Sequence, residues 1–263
     1  MKHLKSSLHD LRTLFGNVIC VREITEPLVS FDGNHDAQEA LETMKEHNYD
    51  VVGVRKGGRV LGYMNRSIGA GPLVEDTMKD FKSSLVIDAS ESLSRVLERL
   101  QDRNFVFVRI LGHVGGIVTR GDLQKTPFRM WLFGLISLIE MHLLRVLRRR
   151  YPGGDWEKHI NMARRKKAME VYEQRAAKNI ECDLADCLQF ADKVDALLED
   201  APFLLDIGFD SKGSARRFFT EIRMLRDDLA HSSDIISPRW PALIRLTGDC
   251  ERVLSKLELI EST

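Results

Sequence analysis

The residues best placed to do chemistry lie in the run Gly116-Ile117-Val118-Thr119-Arg120-Gly121-Asp122, which sets a hydroxyl and a carboxylate at fixed spacing where a strand gives way to a helix. Asp122 can accept hydrogen bonds from a sugar 2′- and 3′-OH, Thr119 both donates and accepts, and Arg120 can reach a phosphate. A short helix expected from Arg120 would add free backbone N–H groups and a positive dipole end, both favourable to an anion. A structural role suits the same residues, with Thr119 capping the helix and Asp122 complementing its dipole.

A second constellation, Arg226-Asp227-Asp228-Leu229-Ala230-His231, lies where a helix is expected to end at Ser232-Ser233-Asp234. A planar guanidinium suits paired phosphate oxygens, and a histidine can act as acid or base near neutral pH. The alternative is an exposed arginine paired with Asp227 or Asp228 and a histidine finishing a helix. On an unbroken helix, positions five apart point about 140° away from each other. Arg226 and His231 therefore share a pocket only if the helix ends before His231 or if two chains assemble the pocket between them.

Composition bounds the partners. With 263 residues and 39 acidic against 39 basic side chains, the chain has room for two domains and no global field that would announce a nucleic acid or a membrane. Any such partner must meet a local patch. Arg145, Arg148, Arg149 and Arg150, with Arg164, Arg165, Lys166 and Lys167, are the candidate basic patch for RNA, although four consecutive helical residues spread around the axis and some must face water. The four cysteines, Cys20, Cys182, Cys187 and Cys250, make no C-x-x-C pair and no zinc spacing, so the expectation is a reducing cytoplasm and no metal. The apolar segment Trp131 to Leu147 is interrupted by Glu140, His142 and Arg145, which predicts a buried helix and no membrane partner. The opening residues Met1-Lys2-His3-Leu4-Lys5-Ser6 lack the continuous apolar stretch of a signal peptide and are expected to start an amphipathic helix. Motifs of the types G-x-x-x-x-G-K-[S/T], G-x-S-x-G and H-E-x-x-H are missing from the sequence.

The elements that must position Thr119 and Asp122 come as an internal repeat. One copy has a helix carrying Ala37, Ala40, Leu41 and Met44, a strand Val51 to Val54, a turn Lys56-Gly57-Gly58-Arg59 and a strand Val60 to Met64. The other has a helix carrying Leu93, Val96, Leu97 and Leu100, a strand Phe105 to Val108, a turn at Gly112-His113 and a strand Val114 to Val118. Upstream strands are expected at Val18 to Ile24 and Leu85 to Ile87. Helical spacing of apolar residues alongside short β-branched runs predicts sheets with helices packed on them.

This arrangement, with the Gly116–Asp122 run, resembles a tandem pair of CBS (cystathionine β-synthase) domains over about residues 1–127. The resemblance implies two β-α-β-β-α repeats, an α+β fold and an adenosyl ligand of the AMP, ADP or ATP kind as regulator, with Thr119 and Asp122 holding its ribose. The first copy departs from the pattern. It reads Gly62-Tyr63-Met64-Asn65-Arg66-Ser67-Ile68, with Asn65 in place of the threonine and Ile68 in place of the aspartate, so one adenosyl site per pair is expected.

After Pro127 the β signals cease. Helices are predicted from Phe128 to Tyr151, Trp156 to Asn179, Asp183 to Leu198, Ser211 to about Ala230, and Pro241 to Ile260, with breaks at Pro152-Gly153-Gly154 and between Pro238 and Pro241. Phe218, Ile222, Leu225 and Leu229 make one apolar stripe. An all-helical domain at 128–263 with the Arg226–His231 motif late in it resembles the HEPN superfamily. That resemblance implies a homodimer with a metal-independent endoribonuclease site, Arg226, Asp227 and His231 being its matching residues. No cofactor is required, because the RNA 2′-OH serves as nucleophile and leaves a 2′,3′-cyclic phosphate. A ligand-controlled ribonuclease of toxin or antiviral-defence type is the leading expectation, and a non-catalytic adenosyl-binding regulator or dimerisation protein is the alternative.

Overall fold

The computed structural model describes residues 8–67, 71–231, 233–237 and 240–262. The chain divides into two compact units, Thr13–Phe128 and Arg129–Thr263, the second also taking in the start of the chain up to Arg12.

The first unit is the repeat. After α1 (Leu8–Asn17) come β1 (Glu26–Pro27), β2 (Ser30–Asp32), α2 (Ala37–Glu46), β3 (Val51–Lys56) and β4 (Arg59–Asn65). The second copy follows as β5 (Lys79–Asp80), β6 (Val86–Asp88), α3 (Leu93–Leu100), β7 (Phe105–Ile110) and β8 (His113–Thr119). The two sheets run β2-β3-β4-β5 and β1-β8-β7-β6. Each copy thus lends its first short strand to the other copy's sheet: β1 pairs antiparallel with β8, and β5 pairs antiparallel with β4. The duplication extends to detail. A register shift falls at Val54/Arg55 in one hairpin and at Val108/Arg109 in the other, and the arginine after each bulge pairs with the last residue of the parallel strand, Asp32 or Asp88.

Helix α2 starts where Asp36 accepts from the N–H groups of Gln38 and Glu39 at 2.8 and 3.0 Å, satisfying two donors the helix cannot. Its apolar face, Ala37, Ala40, Leu41 and Met44, is buried against Val52, Val54 and Met64. A second core joins the two copies through Leu28, Val51, Tyr63, Val86 and Phe107, with Phe81 and Phe105 packed against it. Tyr63 and Phe107 lie 4.9 Å apart between ring centroids, and Phe81 meets Phe107 edge-on at 4.8 Å, arrangements that add to area burial. The β3–β4 turn places Gly57 and Gly58 at φ of 58° and 76°, the left-handed pair that a two-residue hairpin turn needs.

The second unit is helical: α4 (Thr126–Arg150), α5 (Met162–Ala176), α6 (Phe190–Leu197), α7 (Ala201–Asp206), α8 (Lys212–Ala230) and α9 (Trp240–Ser262). Among the described residues α4 alone is long and apolar enough to cross a membrane by length and composition, and 56% of its most apolar stretch is buried. Its polar residues find partners inside the unit, Glu140 with Lys193, and His142 and Arg145 with Glu261. The α8 stripe Phe218, Ile222, Leu225 and Leu229 is buried, joined by Ala215 and Phe219.

Several elements differ from the sequence reading. Val18 to Ile24 is not a strand: Val21–Ile24 forms a 3₁₀ turn, held by Val21 and Arg22 N–H bonds to the carbonyls of Glu91 and Ala89 at 2.9 Å. The counterpart of β6 is instead β2. The trailing helix expected in each repeat is only a 3₁₀ turn, Val74–Thr77 or Gly121–Gln124. Trp156 to Asn179 breaks into a 3₁₀ segment, Asp155–His159, and α5, because Asn161 is extended and its side chain caps the Arg164 N–H. Asp183 to Leu198 likewise breaks into a 3₁₀ turn, Leu184–Cys187, and α6.

Candidate ligand cleft

Strand β8, inside its sheet between β1 and β7, ends at Thr119, and the 3₁₀ turn after it folds Asp122 back toward the strand end. Asp122 Oδ2 accepts from the Thr119 N–H at 2.7 Å and from the Thr119 hydroxyl at 2.8 Å. The carboxylate, not the threonine hydroxyl, therefore closes this turn. Asp122 Oδ1 lies 2.9 Å from Lys125 Nζ, and that ammonium also donates to the Ile24 carbonyl at 2.8 Å and to the Glu26 carboxylate. Burial alone would lower the Lys125 pKa, but its bonds to Glu26 and Asp122 carry it above the ordinary lysine value. Asp122 is only 8% exposed. A carboxylate has about four acceptor positions, so with three donors on it roughly one remains for a ligand hydroxyl, and a second requires a present donor to give way.

These groups line a cleft of about 510 Å³ together with Glu26, Pro27, Leu28 and Val29, with Asn48 to Val51, and with Asn104, Phe105 and Ile117. Both copies contribute. Leu28, Val29, Val51, Phe105 and Ile117 offer an apolar slot of the kind a purine ring fills, and Thr119 and Asp122 offer the polar anchor beside it.

Gly116 does not line the cleft. A Cβ there would collide with the Thr25 side chain and lie 3.3 Å from the Glu26 carbonyl, so the glycine lets β1 approach β8. Nor does Arg120 reach the cleft with a phosphate-binding fork. Its Nε donates to the Arg103 carbonyl at 2.9 Å and its Nη2 to the Leu100 and Gln101 carbonyls at 3.3 Å, so the guanidinium caps the end of α3, where a cation is favoured. In the first copy Asn65 accepts from the Ser67 N–H at 2.9 Å and from its hydroxyl at 2.6 Å, a local turn with no carboxylate in it. Ile68 lies outside the described residues. Arg66, the counterpart of Arg120, binds Asn48 at 3.0 Å and Asp50 at 2.6 Å.

Sequence reasoning missed the Leu28–Val29 and Asn48–Val51 walls. The repeat held the signal: with Gly62 over Gly116, Asp50 falls on Asn104 and Val51 on Phe105, the equivalent positions that wall the cleft from either side.

In the helical unit α8 ends at Ala230, and His231 follows as an exposed cap whose N–H still bonds the Asp227 carbonyl at 3.1 Å. Arg226 lies 3.8 Å from Glu140 and 3.4 Å from Asp227, with its guanidinium 5.9 Å from the Phe190 ring centroid. Glu140 in turn holds Lys193, itself only 5% exposed, at 2.8 Å. No hydrogen bond or ion pair joins Arg226 to His231 among the described residues.

The basic residues expected to follow RNA are largely paired. Arg148 bridges Asp183 and Asp186 at 2.7 Å, Arg149 donates to the Ile260 and Glu261 carbonyls, and Arg150 holds Asp200 and Asp206. Arg164 holds the buried Asp192 at 2.8 Å, and Arg165 holds Glu157. Lys166 and Lys167 are exposed. Among the described residues no three His, Cys, Asp or Glu side chains cluster as metal ligands would.

Comparison with known proteins bears on the first unit. The CBS domain model matches residues 21–67, the copy that starts at the Val21 turn and carries the degenerate Gly62 run. The second copy shares its strand order, edge-strand exchange and bulge. No curated protein matches the chain. Among solved structures it is similar to an uncharacterized conserved protein from Pyrococcus horikoshii, at 20% identity over 40% of this chain and 88% of that one, with a TM-score of 0.35. It is similar to the CBS-pair protein CBSX2 from Arabidopsis thaliana, at 19% identity over 42% of this chain and 95% of that one, TM-score 0.36. It is also similar to the CBS domain of a bacterial CNNM/CorC family Mg2+ transporter in complex with ATP, at 19% identity over 44% and 90%, TM-score 0.35.

Proposed function

We propose that this protein is a ligand-responsive regulator whose cleft binds an adenosyl compound. The observation that carries the reading is the Thr119–Asp122 pair at the mouth of an apolar slot, with the carboxylate fixed by Thr119 and one acceptor position left for a ribose hydroxyl. The ligand acts by favouring one arrangement of the chain over another, which requires different affinities for the two. Its route outward is the chain itself, since Lys125, bonded to Asp122, immediately precedes α4. Calorimetry with adenosine and AMP tests this: binding to the unmodified chain, and its loss by about tenfold or more in Asp122→Ala, is the expected result for removal of a charged hydrogen-bond acceptor. Equal binding by Asp122→Ala overturns it.

A second reading makes the helical unit the regulated output, a metal-independent endoribonuclease of toxin or defence type that works as a homodimer. The observation favouring it is the end of α8 at Ala230, which leaves His231 exposed one step past the helix that carries Arg226. Pairing two chains about a twofold axis would bring two arginines and two histidines to one cleft.

A further inference from the structure

The charge of the cleft restricts what an adenosyl ligand can carry beyond its ribose. Three carboxylates line it, Glu26, Asp50 and Asp122, and among the described residues no lysine, arginine or histidine does. The cations bonded to those carboxylates are already engaged. Lys125 is shared by Glu26 and Asp122, and Arg66 is held by Asp50 and Asn48. Arg120, the residue the sequence offered for a phosphate, caps α3. Counting three carboxylates against Lys125 and Arg66 leaves one negative charge in excess, in a partly enclosed site where solvent screening is reduced.

A triphosphate would enter that field with several negative charges and find no free cation on the lining to receive them. An uncharged tail meets no such opposition, and a cationic tail gains from Glu26 and Asp50. We infer that the cleft selects a neutral or cationic adenosyl compound over a nucleoside phosphate. This rests on the reading of the cleft as an adenosyl site and specifies which member of that class it takes.

The test is calorimetric titration of the full chain with adenosine, S-adenosylmethionine, AMP and ATP, with EDTA present so that no divalent cation masks the phosphates. The expected order is S-adenosylmethionine and adenosine ahead of AMP, and AMP ahead of ATP, with adenosine about tenfold or more tighter than ATP at low salt. Raising salt from about 20 mM to about 0.5 M shortens the screening length several-fold and should narrow the gap between adenosine and ATP in the unmodified protein. Asp50→Asn should raise ATP affinity relative to adenosine by a few-fold. ATP binding as tightly as adenosine at low salt overturns the inference while leaving the cleft an adenosyl site. Failure of all four probes to bind overturns both.

Discussion

Arg129 Nη2 donates to the Asp228 carbonyl at 3.0 Å and to the Leu229 carbonyl at 2.9 Å, while Nη1 donates to the Ser233 carbonyl at 2.9 Å. One guanidinium from α4 thus caps the α8 C-terminus and ties down the chain beyond His231. Helix ends leave carbonyls without intrahelical donors, and a cation there also meets the negative end of the dipole. Arg129→Ala should lower the urea unfolding free energy by about 2 kcal/mol, the scale of a lost charged hydrogen-bond set at a half-buried site. Arg129→Lys should recover only part of it, because an ammonium lacks the planar fork. Equal stability of all three proteins would refute the capping role.

Gly116 and its neighbour Gly115 provide a paired test of the exchanged edge strands. A Cβ at Gly115 meets nothing within 4 Å, whereas one at Gly116 collides with the side chain of Thr25, the residue just before β1. Gly116→Ala should destabilise the first unit by about 1–3 kcal/mol through overpacking, and Gly115→Ala should not. Thermal or urea unfolding of the two variants distinguishes them. An unaffected Gly116→Ala would mean that β1 can lift from β8 at little cost.

The repeat was legible because its physics is local. Ala37, Ala40, Leu41 and Met44, and Leu93, Val96, Leu97 and Leu100, are spaced for one helix face, and those faces are the buried ones. The paired hairpins were legible too, since Gly57-Gly58 and Gly112 announce their turns. Val18 to Ile24 misled because a β-branched run suggests a strand, while its backbone is fixed by Ala89 and Glu91 far along the chain. Arg120 misled for a related reason: nothing near it in sequence reveals that α3 ends beneath its guanidinium. The cleft walls at Leu28 and Asp50 were hidden because they join Asp122 only through exchange of β1 and packing of one copy on the other.

Asp186 gives the helical unit an acid-sensitive tie. Burial pushes its pKa up, but the Asp183 N–H at 2.9 Å and the Arg148 guanidinium at 2.7 Å more than offset this, and the carboxyl titrates below its ordinary value. A carboxylate with a depressed folded-state pKa contributes stability that is present above its unfolded pKa and lost as pH falls through the folded one. Urea unfolding should therefore show stability falling below about pH 4, and Asp186→Asn should be less stable at pH 7 with a shallower loss across that acid window. Parallel pH profiles for the two proteins would show that the 3₁₀ turn at Leu184–Cys187 does not depend on this charge.

The proposed ribonuclease reading turns on His231 and Arg226. Within one chain Arg226 pairs with Glu140 and Asp227, and His231 stands exposed beyond the helix end, and the proposed homodimer would bring both residues of each chain to one cleft. Incubation with mixed RNA, with and without adenosine, should yield 2′,3′-cyclic phosphate ends that EDTA does not suppress. His231→Ala should reduce the rate by about 100-fold or more, the usual contribution of a positioned acid or base. If the proposed homodimer forms, mixing inactive His231→Ala and Arg226→Ala subunits should restore part of the activity, because a mixed dimer would retain one arginine and one histidine. Intact RNA under every condition sinks the ribonuclease reading and leaves the adenosyl-binding regulator. Activity in a protein that sediments as a monomer would overturn the homodimer part of that reading.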